Sequence, residues 1–231
     1  MPGGKAAKGA VRPARTSRPS RDPARNSADA LMDAAGALMA ERNSVDITFA
    51  DIAERSGLNS ALIQYRFGGK TGLFRALLER DAGAMLPALA ALVAADLPAE
   101  EKLRRHIRGV IRTYHRHPYM NRLIGALASE TDGDAARYIS ERFTRPIAAG
   151  HRAILRQGVA EGTFRPVDPM LFYFSLIGAC DHLFHARYSL KWAFGIGEID
   201  EPLSLAYAAH VEATVLASVL VALPTATVDR T

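Results

Sequence analysis

Ser60, Ala61, Gln64 and Tyr65 share one face if the residues around them are helical, and their side chains are suited to recognition rather than turnover. A glutamine amide can pair with an adenine edge, an alanine or the neighbouring Leu62 can touch a thymine methyl, and a tyrosine hydroxyl can reach a phosphate. A second group lies further along the chain. Tyr114, His117 and Met120 on one stretch, with Phe174, His182, His185 and Trp192 on another, combine apolar bodies with a few polar tips. That mixture describes a small-molecule pocket inside a helical bundle, and equally an ordinary core with amphipathic residues at its edge.

Chemistry that makes or breaks bonds finds little support. Cys180, Asp181 and His182 are consecutive, so on a helix they point in three directions and cannot converge on one atom. There is no glycine-rich phosphate loop and no Gly-x-Ser-x-Gly turn, so no enzyme is expected. His182 and His185 stand three apart and could share a metal, but no further ligand is identifiable, so neither a metal nor a cofactor is expected.

The elements that would position the first group can be read locally. Thr48 followed by Asp51 resembles a capping box, which starts a helix at about Thr48 and turns Ile52 and Ala53 inward. Gly57 supplies a turn where positive φ costs little. Asn59 can then cap a second helix, whose Ile63 and Phe67 pack inward beneath Leu58. Upstream, Leu31, Ala34, Ala35, Leu38 and Met39 recur at helical spacing, and Asn43 stands where that helix should stop. Two short helices joined at a glycine form a helix-turn-helix, although any short helical hairpin shares part of the pattern.

The order and spacing of Leu31, Ala34, Ala35, Leu38 and Met39, then Thr48, Asp51, Ile52 and Ala53, then Gly57, Tyr65, Phe67 and Lys70 closely resemble the DNA-binding domain of the tetracycline-repressor (TetR) family. The resemblance covers residues 28–78. It implies phosphate contacts by Thr48, Tyr65 and Lys70, and with the face read above the expected DNA-binding set is Thr48, Asn59, Ser60, Ala61, Gln64, Tyr65 and Lys70. Three positions depart from the family pattern: Gln64 replaces a usual Tyr, Leu62 a small polar residue and Asn43 a Gly. The resemblance further implies a homodimer joined through the last two helices, and a ligand-responsive repressor released from a palindromic operator by a small-molecule effector.

A chain of 231 residues with 48% hydrophobic content can bury a sizeable core, and no alternating strand pattern is present, so the fold expected is all-α. Beyond the DNA-binding unit, helices are expected over 71–95, 99–117, 119–129, 134–161, 169–194 and 201–223, with Pro87 bending the first. The domains read as a disordered basic tail over 1–26, the helix-turn-helix domain over 27–75, a helical ligand-binding and dimerisation domain over 76–223, and a second tail over 224–231. Residues 1–27 carry seven cations against Asp22, which suits duplex phosphates or a solvated tail alike. An alternative function is therefore a sequence-indifferent architectural protein that binds duplexes through this tail. A single cysteine and no long apolar run point to a cytoplasmic protein without a disulfide framework or membrane span.

Overall fold

A computed structural model describes residues 23–129 and 133–221. Among them the fold is all-α: α1 (Pro23–Arg42), α2 (Phe49–Ser56), α3 (Ala61–Phe67), α4 (Lys70–Ala82), α5 (Met85–Ala94), α6 (Ala99–Arg116), α7 (Met120–Ala128), α8 (Asp134–Ile139), α9 (Arg145–Ala160), α10 (Pro169–His185), α11 (Arg187–Phe194) and α12 (Glu201–Val219). A π-helical turn (Ser140–Thr144) joins α8 to α9.

The first three helices form a unit around Leu31, Ala35, Met39, Ile47, Ile52 and Ile63, all fully buried. Alanines on α1 let α2 cross closely, and the ion pairs Arg42–Asp51 and Arg55–Glu41 tie the two helices at their rims. At Asn43 the backbone is left-handed (φ 52°), which ends α1 where the sequence places its stop. Entry into α4 is tight: a Cβ on Gly72 would lie 1.7 Å from the Phe67 carbonyl oxygen, so only glycine lets α4 start against the end of α3. From there α4 carries Leu73, Phe74, Leu77 and Leu78 into the core beside α7.

In the larger part of the molecule α6 is the central post, touching α5, α9, α10 and α12. It buries Leu103, Ile107, Val110, Ile111 and Tyr114, while Arg105, Arg108, Arg112 and Arg116 face out. Helices α10 and α12 begin at aspartate caps: Asp168 accepts from the Met170 and Leu171 amides, and Asp200 from the Leu203 amide.

The boundaries depart from the expected ones for identifiable reasons. Helix α1 starts at Pro23, so residues 23–26 belong to a helix and not to a tail; residues 1–22 and the 224–231 tail lie outside the described residues. The expected helix over 71–95 breaks at Gly83–Ala84 instead of bending at Pro87. Pro87 cannot donate to the Gly83 carbonyl, and the break places it in the first turn of α5, where no donor is needed. Pro146 likewise has no N–H for the Arg142 carbonyl, and the 134–161 span takes its π turn just before it. The 169–194 span breaks at Ala186, where Arg122 donates to the freed His185 carbonyl. Helix α12 stops at Val219 because Leu220 leaves it to bridge Phe164, with Arg165 holding the Val219 and Ser218 carbonyls. No helix among the described residues is long and apolar enough to cross a membrane.

Candidate functional site

The α2–α3 hairpin is stiffened from its ends. Thr48 accepts from the Asp51 amide at 3.1 Å, and Asp51 accepts from the Thr48 amide and hydroxyl, both at 2.7 Å, closing the capping box. Arg42 adds a 2.7 Å bond, and this partner first, then Thr48, holds the Asp51 carboxyl far below the usual carboxylate range. Thr48 thus gives its proton to Asp51, so its hydroxyl reaches a phosphate only by exchanging that bond. Gly57 is left-handed (φ 70°) and its amide closes on the Ala53 carbonyl at 2.9 Å. Asn59 accepts from the Ala61 amide at 2.8 Å, the cap read from sequence, and keeps its side-chain NH2 free of that bond.

With Ile63 buried and Leu62 and Phe67 half-buried, α3 presents Ala61, Gln64 and Tyr65 outward, flanked by Asn59; Tyr65 is 80% exposed. Ser60 is half-buried on the same edge. Sequence reasoning passed over Arg66, an exposed cation whose guanidinium lies 5.7 Å from the Tyr65 ring centre. Its place beside Tyr65 at the end of a short helix was the available signal. Lys70 begins α4 with its ammonium 5.5 Å from the Phe74 ring centre, and Gly69 leaves the first amides of α4 without a side-chain cap. Two cations beside a helix start at one edge of an exposed polar face are suited to a phosphate backbone.

Two neighbouring spaces, an outer cleft and an inner chamber, lie in the larger domain. The outer cleft, about 350 Å³, has an apolar floor from Met85, Ala88, Leu89 and Leu92, and a rim of Arg105, Arg112, Arg116, His117 and Asp81. The inner chamber, about 80 Å³, is walled by Leu78, Tyr114, Met120, Phe143, Tyr173 and Ile177 among others. Met85, His106, Val110 and Thr113 line both, so the cleft and the chamber are neighbours separated by these side chains. Beside them the His106 and His151 rings share a buried hydrogen bond, Nε2 to Nε2 at 2.8 Å. Burial pushes His106 down to about 4 and His151 to about 3, the latter helped by its neighbour, so both imidazoles are neutral at physiological pH. His151 Nδ1 is buried without a hydrogen-bond partner in the fold.

Three of the seven pocket residues named from sequence lie here: Tyr114 and Met120 in the chamber, and His117 at the cleft. Phe174, His182, His185 and Trp192 do not line it, and each is exposed. The reason is the face α10 buries: Phe172, Leu176, Cys180 and Phe184 point inward at four-residue intervals, leaving the others outside, and α11 buries no residue at all. Among the described residues no cluster of three metal-ligating side chains occurs. On the outer side, α10 exposes Met170, Leu171 and Phe174, and α12 exposes Leu205, Ala206, Ala209, Ala213 and Ala217.

The family model described as "Bacterial regulatory proteins, tetR family" matches residues 31–77, and that described as "Tetracyclin repressor-like, C-terminal domain" matches residues 96–224. The chain belongs to the TetR family. Among solved structures, this TetR-family chain is similar to the ketosteroid transcriptional regulator KstR2 of Mycobacterium tuberculosis, at 22% identity and TM-score 0.63, over 84% of this chain and 95% of that one. It is also similar to the fatty acid degradation regulator FadR of Bacillus halodurans, at 18% identity and TM-score 0.63, over 85% and 96%. FadR of Bacillus subtilis in complex with stearoyl-CoA matches at 17% identity and TM-score 0.61, over 81% and 97%. At these identities the likeness shows a shared fold. No curated protein sequence matches this TetR-family chain significantly.

Proposed function

We propose that this TetR-family transcriptional regulator is a homodimeric, cytoplasmic repressor released from a palindromic operator by an anionic, amphiphilic small molecule. The observation that carries the reading is the cleft and adjacent chamber on α6, linked to the exposed α3 face through α4. An apolar chamber behind a rim of three arginines favours a ligand with an apolar body and a negative head; Arg112 and Arg116 have no acid partner among the described residues. Stearoyl-CoA in the Bacillus subtilis relative is a ligand of that kind, which supports the class. The chamber alone is too small for a long acyl chain, so binding would have to widen it, by moving Met85 between chamber and cleft.

The dimer is supported by the small and apolar exposed faces of α10 and α12, and a two-fold operator requires two copies of α3, roughly 34 to 36 Å apart. Base reading is assigned to the face of Ser60, Ala61 and Gln64, phosphate contact to Thr48, Tyr65 and Lys70, and Asn59 caps the helix that carries them. Footprinting of the DNA upstream of the protein's own gene, with unrelated duplex as competitor, supplies the operator and tests the reading. Gln64→Ala should relax preference at one base pair per half-site by about 1 to 3 kcal/mol, whereas Lys70→Ala should weaken all duplexes alike. Equal losses on matched and mismatched sites would remove the base-reading role. Binding that ignores sequence and falls steeply with salt would favour the architectural alternative.

A further inference from the structure

Asp81 forms part of the cleft wall, yet its side chain is only 5% exposed because other groups cover it. Arg80 donates to it at 2.7 Å, the Tyr119 hydroxyl donates to its second oxygen, and His117 Nδ1 stands 3.6 Å away. Burial first, and then the bond to Asp81, hold the Tyr119 phenol well above its usual range, so it remains a donor. Tyr119 is itself 4% exposed, and the hydroxyl end of its ring lies against the backbone of Gly36 on α1. A Cβ at Gly36 would fall 2.8 Å from the phenolic oxygen and 3.2 Å from Cζ. Arg80 reaches α1 as well, donating to Asp33 at 2.7 Å. The carboxylate in the cleft wall is therefore one hydrogen bond away from a side chain seated on the frame helix of the DNA-binding unit.

A second contact to α1 offers a contrast. Arg187 donates to the Ala40 carbonyl at 3.0 Å, but it lies in a separate crevice with His115 and Glu198 and does not touch the cleft. Asp81 in the cleft wall reaches α1 in two ways, through Arg80 to the exposed carboxylate of Asp33 and through Tyr119 to the buried backbone at Gly36, and of these the Tyr119 contact is the buried one.

We infer that Tyr119 is the coupling residue between the cleft and the DNA-binding helices, the Tyr119–Asp81 bond fixing where α1 lies. This rests on the reading that the cleft holds an effector. An occupant that draws Asp81 or His117 away frees the ring to move on Gly36, and α1 carries that movement to α2 and α3 because the three share one core. Any side chain at position 36 would press on the phenol and shift the ring from this seat.

The inference is tested without any ligand, on the full chain and the footprinted operator duplex. Gly36→Ala pushes the phenol off its seat and should weaken operator binding at least about fivefold, the lower end of typical coupling between sites. Tyr119→Leu removes both the ring that the new methyl strikes and the bond to Asp81, so the Gly36→Ala/Tyr119→Leu double variant should bind operator within about twofold of Tyr119→Leu alone, the two changes acting through one contact. A Gly36→Ala protein with wild-type affinity, or a Gly36→Ala loss that persists in full in the Tyr119→Leu background, overturns the inference. If Gly36→Ala fails to fold, Tyr119→Phe, which removes only the bond to Asp81, should shift operator affinity by at least about fivefold, and no shift overturns it. Wild-type protein that does not prefer the operator to unrelated duplex would sink the regulator reading itself, a result distinct from selective wild-type binding with an inert position 36.

Discussion

The DNA-binding unit and the cavity domain are built over different distances along the chain, and the contrast governs what each can do. In the former, caps close over two or three residues and the rim pairs link α1 to its sequence neighbour, so the α3 face is fixed by local chemistry. In the latter, the chamber takes its walls from α4 through α10, so its shape depends on several helices packing correctly at once. A locally braced unit is suited to presenting a constant face to DNA. A space bounded by many helices can change volume when one of them shifts, which is what a ligand-gated domain needs.

The largest expected effect breaks the second region at its outer surface. Ala213→Arg places a charge among the small residues exposed on α12, and, if that face joins two copies, should cost the dimer about 3 to 5 kcal/mol and yield monomers in sedimentation. A dimer that persists would locate the interface elsewhere. Gly72→Ala attacks the junction between the regions: its methyl meets the Phe67 carbonyl, a backbone atom that cannot swing aside. A loss of about 3 kcal/mol in denaturant unfolding is expected, together with loss of operator binding.

Acid sharpens the contrast, because it acts on the buried His106–His151 pair beside the chamber. His106 and His151 have folded-state values pushed down to about 4 and about 3, so below pH 6.5 the unfolded chain takes up protons that the fold refuses. Stability should therefore fall as pH drops from 6.5 towards 4, by about 2 kcal/mol per histidine between pH 6.5 and 5. Denaturant curves at these pH values check this, and replacing both residues with leucine should flatten the dependence. The smallest effect returns to the DNA-binding unit. Thr48→Ala removes the cap of α2 and should cost about 1 kcal/mol, measured in the same assay.

The same contrast explains what the sequence made legible. Thr48, Asp51, Gly57 and Asn59 act on neighbours a few residues away, so their roles follow from spacing, and the structure places them as spacing implies. Pro87 and Pro146 were visible as helix breakers, but where each break falls depends on which carbonyl the missing N–H leaves open. Trp192 and Phe174 read as pocket candidates because apolar bodies stand there among a few polar tips; nothing in their own stretch reveals that α10 has a second, exposed apolar face or that α11 buries no residue fully. His106 escaped notice for the opposite reason. Its partner His151 stands 45 residues away, and only the crossing of α6 and α9 brings the rings together.

The central claim is that cleft and DNA face communicate, and a calorimetric titration with stearoyl-CoA as the probe, performed with and without operator duplex, tests it most directly. If occupancy of the cavity opposes DNA binding, operator must weaken probe binding by the same factor by which probe weakens operator binding, about 5- to 150-fold for a typical coupling. Probe affinity that is identical in the presence and absence of operator, or no binding at all, would contradict the account for this ligand class.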